Sequence, residues 1–156
     1  MRFWGLALAF LLGTSAAAAA GTIVVPDDQA TIQAAVDAAE PGDTIRVKKG
    51  TYDERVRIDD KVDLTLRFDP GAVLERSANG LTLDMHDCID VTLRDVVVTG
   101  STSDGIYVCG GSNILLSKCR VTDSNTGIYL EDCTSVRLDR CVIERCDRRM
   151  RLNWNE

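Results

Sequence analysis

Gly105-Ile-Tyr-Val108 returns as Gly127-Ile-Tyr-Leu130, and Gly80-Leu-Thr-Leu83 sets out the same frame ahead of both. A second apolar-x-apolar triplet follows each of them: Val91-Thr-Leu93, Ile114-Leu-Leu116 and Val136-Arg-Leu138. A third comes next: Val96-Val-Val98, Cys119-Arg-Val121 and Cys141-Val-Ile143. The glycines stand 25 and then 22 residues apart, and the second triplets 23 and then 22 apart. Three short strands therefore recur every 22 or 23 residues. A period in the twenties is the mark of a solenoid.

In each triplet the first and third residues are mostly apolar, while the middle one varies. Side chains alternate across a strand, so the outer pair points inward and the middle residue outward. Three such strands close one coil, and coils stack with parallel strands about 4.8 Å apart. Like positions then form ladders. Asn79, Asp104 and Thr126 are expected in one turn column, and Asp90, Asn113 and Ser135 in another. Short polar side chains suit such columns because they bond local backbone. A β-sandwich would need tight hairpin turns between antiparallel strands, and only Asn79-Gly80 has that form. Leucine-rich repeats share the period but set a fixed Asn or Cys in a leucine frame, which is absent here.

Upstream of the repeats the pattern changes. Thr22-Ile-Val-Val25 reads as a short strand. Asp28 reads as the cap of a helix over about 28–39, whose apolar face is Ile32, Ala35, Val36 and Ala39, with Pro41-Gly42 ending it. Residues 1–20 read as a signal peptide: Arg2, an apolar run from Phe3 to Leu12 broken only by Gly5, then small residues Ala16 to Ala20 before the expected cut. The expected destination is secreted or periplasmic, and residues 21–156 form the mature domain, with clear repeats over 79–147. The leader is too short to span a bilayer, and no later run approaches the length of a spanning helix, so no membrane contact is expected of the mature form. Eighteen basic against 24 acidic residues give a net charge of −6, which argues against a nucleic-acid partner bound by phosphate neutralisation. Hydrophobic residues make up 45% of the chain, with fifteen of them in the first twenty positions. What remains supports one core but not two large domains.

The chain resembles the right-handed parallel β-helix repeat proteins of the pectate-lyase-like superfamily. The residues that carry the likeness are Thr31 to Ala39 (TIQAAVDAA), Pro41 to Val47 (PGDTIRV), Gly50-Thr-Tyr52 and Glu54-Arg-Val56. A helix followed by this PGDTI-x-V-x-x-GTY pattern is found at the start of pectinesterases, some alginate and chondroitin lyases and many exported β-helix proteins. The resemblance covers about residues 22–147. It implies an all-β fold, a right-handed parallel β-helix whose amino-terminal helix covers the open end of the stack. It also implies a carbohydrate-active protein, lyase-like if it is an enzyme. No complete catalytic set of the family is present: there is no Gly-His-Gly motif and no pectinesterase motif. Asp84-Met-His-Asp87 is loosely similar to the Asp-Pro-His-Asp stretch of alginate epimerases, with Met85 in place of the proline. Apart from that likeness, His86 reads as a solvated turn residue of the longer first repeat.

The strongest surface feature is a tyrosine ladder. Tyr107 and Tyr129 are middle residues of equivalent triplets, so both should face outward one coil apart, with Thr82 on the coil below. Aromatic faces take the apolar C–H surface of sugar rings while the hydroxyl bonds polar groups. Arg137 belongs to an arginine-rich last stretch with Arg140, Arg145, Arg148, Arg149 and Arg151. Arginine forks recognise carboxylates, so the expected partner is a polysaccharide, uronates included. The same stretch offers end-to-end contact at the last coil, with Met150 to Trp154 as a closing strand. A plain structural role competes with each feature: an aromatic pair that stabilises the sheet, and charges that keep the last coil solvated.

Six cysteines in an exported protein invite disulfides. Register places Cys119 over Cys141 as a packed thiol ladder and Cys88 two coils from Cys133, too far to bridge. Cys109 and Cys146 have no assigned place. No cofactor is required, although turn carboxylates (Asp59-Asp60, Asp84 with Asp87, Glu131-Asp132) offer ligands of the kind Ca²⁺ takes. Two function classes follow: a protein that binds or cleaves polysaccharide along a sheet, and a non-catalytic surface-binding or assembly module.

Overall fold

A computed structural model describes residues 19–154, so the expected signal segment lies almost wholly outside the described residues. Strands are numbered in chain order. Sheet one comprises β1 (Thr22–Val25), β2 (Thr44–Val47), β5 (Thr65–Phe68), β8 (Thr92–Arg94), β11 (Ser112–Ser117) and β14 (Thr134–Asp139). Sheet two comprises β3 (Gly50–Asp53), β6 (Ala72–Glu75), β9 (Val97–Thr99), β12 (Arg120–Thr122) and β15 (Val142–Glu144). Sheet three comprises β4 (Val56–Asp59), β7 (Leu83–His86), β10 (Asp104–Cys109), β13 (Thr126–Glu131) and β16 (Arg148–Asn153). Each strand pairs in parallel with its counterpart one coil away, so the chain winds as an all-β parallel solenoid with three flat sides. No helix of the described residues is long and apolar enough to cross a membrane.

Alternation explains the core. In sheet one, Ile45, Leu66, Leu93 and Leu116 stack one above another with 0% exposure, and Leu138 continues the column. In sheet three the corresponding column is Val56, Leu83, Ile106 and Ile128, all at 0% exposure. Burying each such side chain contributes roughly 1.5–3 kcal/mol. The turn column of Asp90, Asn113 and Ser135 is present, with φ of 56°, 55° and 58°. Asn and Asp tolerate this left-handed region better than most residues, and the Asn113 amide bonds the Asp90 carboxylate below it.

Three local expectations change. The helix is α1 (Ile32–Ala38), capped by Thr31, whose side chain accepts from the Ala34 N–H at 3.0 Å. Asp28 instead accepts from the Val24 N–H and closes the preceding turn. The last strand does not fold across the end of the stack. β16 pairs in parallel with β13 and continues sheet three, so the inward-facing Met150 and Leu152 are 47% and 52% exposed.

The register of the first repeat also shifts. Leu83, Asp84 and Met85 pair with Ile106, Tyr107 and Val108, so the strand lies two residues beyond the Leu81-Thr-Leu83 triplet. Thr82, not Gly80, therefore stands under Gly105, and Asn79 is not in the column of Asp104 and Thr126. The glycine column exists because the turn is crowded. A Cβ on Gly105 or Gly127 would fall within 3.0 Å of the Val121 or Ile143 side chain, respectively. Thr82 carries a full side chain at the same place one coil below; it is buried, and its hydroxyl has no hydrogen-bond partner among the described residues.

All six cysteines are free thiols. Cys119 is buried and Cys141 half-buried on the coil above it. Burial, with Cys141 adding to it, pushes the Cys119 thiol up to about 12. Cys88 and Cys133 lie two coils apart with Gly111 between them, each sharing its sulfur with a backbone carbonyl. Cys146 lies in the turn between β15 and β16, with its sulfur close to Gly127.

Candidate functional site

The outer face of sheet three carries aromatic and acid–base side chains in two ladders. One runs Arg57, Asp84, Tyr107, Tyr129, Arg151. The other, two residues further along each strand, runs Asp59, His86, Cys109, Glu131, Asn153. Strand alternation puts both sets outward, because Met85, Val108 and Leu130 between them point into the core.

Tyr107 and Tyr129 stack with ring centroids 5.1 Å apart and planes at 41°. His86 meets the Tyr107 ring edge-on at 5.5 Å. At the other end the Arg151 guanidinium carbon lies 4.5 Å from the Tyr129 centroid, a cation–π contact. These neighbours leave Tyr129 only 9% exposed, although it faces outward. The row is therefore a continuous ridge from imidazole to guanidinium.

Below the ridge lies Asp84, with no exposed side-chain surface. Arg55 grips it with a two-pronged pair of hydrogen bonds, Nε to Oδ1 at 2.9 Å and Nη2 to Oδ2 at 2.7 Å. The bond to Asp84 holds the Arg55 guanidinium more firmly charged than usual. His86 Nε2 stands 3.4 Å from Asp84 Oδ2, and Arg57 Nε 4.0 Å from it. A buried carboxylate needs such partners, since an unpaired one would cost several kcal/mol. Beside the ridge, on the same strand as Tyr129, Glu131 accepts from the Tyr107 hydroxyl at 2.5 Å and from Asn153 Nδ2 at 2.8 Å. Those two bonds hold the Glu131 carboxyl below its ordinary range. Burial first, then the bond to Glu131, pushes the Tyr107 phenol upward, so Tyr107 stays protonated and donates.

The two tyrosines meet as expected from sequence, but their surroundings differ from expectation. Thr82 is inside the solenoid, and Asp84 takes its place beneath Tyr107. His86 is not a turn residue; it stands on β7 beside Asp84. Arg137 lies on β14 over Leu115 of sheet one, on another side of the molecule, so it does not share this face. Of the arginine-rich stretch, Arg151 contributes to the ridge. Two carboxylates read as Ca²⁺ ligands are already engaged, Asp84 by Arg55 and Glu131 by Tyr107 and Asn153. Among the described residues no group of three or more His, Cys, Asp or Glu side chains is arranged to hold a metal ion.

A family model described as "Right handed beta helix region" matches residues 65–151. Among solved structures, the alginate lyase from Paenibacillus sp. str. FPU-7 is similar in fold, with a TM-score of 0.54 and 16% identity. The alignment covers 81% of this chain and 65% of that one. No curated protein matches the sequence.

Proposed function

Because the chain belongs to the right-handed β-helix family, we propose that it is an exported protein that takes polysaccharide along the outer face of sheet three. The observation that carries this is the stack of Tyr107 on Tyr129, flanked by His86 below and Arg151 above. Because the rings cover one another and Arg151 covers Tyr129, the stack offers a sugar its ring edges and hydroxyls, with the Arg151 guanidinium and the Asn153 amide beside them for polar contacts. Arg57 and Arg151 at the two ends of the ladder suit a glycan that carries carboxylates. The name of the similarly folded alginate lyase makes uronate polymers the first class to try.

Cleavage by elimination is the second reading. It is favoured by the proximity of Asp84, His86 and Tyr107, which places an imidazole next to a phenol held in its protonated form. Binding without turnover would instead mark the chain as a non-catalytic surface-binding module.

One experiment tests the binding and separates these outcomes. Oligouronates are titrated into the protein and into Tyr107→Ala and Tyr129→Ala variants, with unfolding curves to confirm that each variant is folded. Affinity is expected to fall on the order of tenfold in each variant. Unchanged affinity in both variants would refute the face as a glycan site. Absorbance of unsaturated sugar products in the same mixtures reports whether elimination occurs.

A further inference from the structure

Sheet one carries a second surface that the tyrosine ridge does not use. Its outer face holds a threonine ladder, Thr44, Thr65 and Thr92, and beside it an arginine ladder, Arg46, Arg67 and Arg94. The three guanidinium groups project from adjacent strands about 4.8 Å apart, within a chain whose net charge is −6. Stacked like charges repel, and their compensation here is incomplete. Asp69 bridges Arg46 at 2.8 Å but stands 3.8 Å from Arg67, and Asp95 is 3.6 Å from Arg94.

The arginine ladder borders a cavity of about 390 Å³ at the corner between sheets one and two. That volume lies in the range of roughly 300–1,000 Å³ seen for small-molecule sites. Its lining comes from three successive coils: Arg67 with the Asp69-Pro70-Gly71 turn, then Asp95 and Val97, then Lys118 and Arg120. Three cations face two carboxylates there, with Arg94 alongside. Lys118 is exposed, and among the described residues its ammonium makes no ion pair. Arg120 reaches Glu144 at 3.3 Å, an exposed pair that contributes little.

We propose that this cavity binds a carboxylated oligosaccharide, as a site separate from the tyrosine ridge. Arg67 and Lys118 take ring carboxylates, the first as a two-pronged fork and the second as a point charge. The threonine hydroxyls lie just outside the cavity, two residues before each arginine on the same sheet face, where sugar rings running past the guanidinium groups would meet them. Pro70 and Val97 supply apolar surface for a C–H face. A bare inorganic anion would use the cations but neither of the other two features.

The test uses the full chain and a short oligogalacturonate in calorimetric titration, with Arg67→Gln and Lys118→Gln combined. Both side chains are exposed, so the fold is expected to survive, and thermal unfolding checks this. Loss of two charge-assisted contacts is expected to weaken one class of site by about tenfold or more. The methyl-esterified oligomer, whose carboxylates are masked, should bind the unaltered protein at that site as weakly as the acid form binds the variant. Unchanged affinity in the variant, equal binding of the ester, or inorganic sulfate binding as tightly as the oligomer would each overturn the proposal. The tyrosine variants distinguish this outcome from failure of the ridge. If the ridge binds nothing, they titrate like the unaltered protein while the Arg67/Lys118 variant still loses its site.

Discussion

Arg55→Met and Asp84→Leu, made singly and together, test how the floor of the tyrosine ridge is held. Asp84 has no exposed side-chain surface, whereas Arg55 is 42% exposed. The two single changes are therefore unequal. Removing Arg55 strands a buried carboxylate, with His86 at 3.4 Å and Arg57 at 4.0 Å as its nearest remaining partners. Breaking a buried pair costs about 3–5 kcal/mol when nothing replaces the lost partner. Arg57 and solvent at the guanidinium end reduce that figure, so a loss of about 2–3 kcal/mol is expected. Removing Asp84 leaves an arginine that can turn into water, and about 1 kcal/mol or less should be lost. In the double variant no charge remains buried, and the cost should stay near that of Asp84→Leu alone. The coupling would then be about 2 kcal/mol. Urea unfolding followed by far-UV circular dichroism measures all four corners of the cycle. Additive losses, or a cheaper Arg55→Met than Asp84→Leu, would refute the assignment of Asp84 as a buried charge that depends on Arg55.

Thr82→Val should stabilise the protein by about 1–2 kcal/mol in thermal unfolding. The change removes a buried hydroxyl that has no partner and keeps its shape. A destabilised variant would mean that the hydroxyl is satisfied in solution. At the same corner, between sheets two and three, Arg145 holds the exposed Asp123 carboxyl down to about 2, from an ordinary value of 3.8. Because the folded value is depressed, the pair's contribution is present above pH 3.8 and is lost as pH falls through about 2. Carboxyl carbon chemical shifts should show Asp123 titrating near 2, and Arg145→Gln should return it toward 3.8.

The solenoid was legible because its cause is local and repeated. Val91-Thr-Leu93, Ile114-Leu-Leu116 and Val136-Arg-Leu138 each alternate, and their spacing matches the observed pairing of β8, β11 and β14. Asp90, Asn113 and Ser135 signalled their turn because a left-handed backbone favours short polar side chains. The meeting of Tyr107 with Tyr129 followed from the same period. The misplaced first strand shows where alternation fails. Leu81-Thr-Leu83 and Leu83-Asp-Met85 both alternate, and a slip of two residues keeps every side chain on its own face. The pattern of apolar residues therefore could not choose between Thr82 and Asp84. The even spacing of 23 and 22 from Thr82 to Gly105 to Gly127 does choose, once Thr is allowed in a glycine's place.

A period of 22 or 23 residues and an alternation of two suffice to specify coils, an inside and an outside, because both depend on neighbours along the chain. They do not specify which outward side chains touch. Arg55 meets Asp84 across 29 residues, and Tyr107 meets Glu131 across 24. Arg137 and Arg151, from one basic stretch, part onto different sheets. Each of these contacts depends on the register between stacked coils and on the corner at which the chain turns. Register is fixed by how the buried columns of Leu, Ile and Val fit over one another, which is a property of the whole stack.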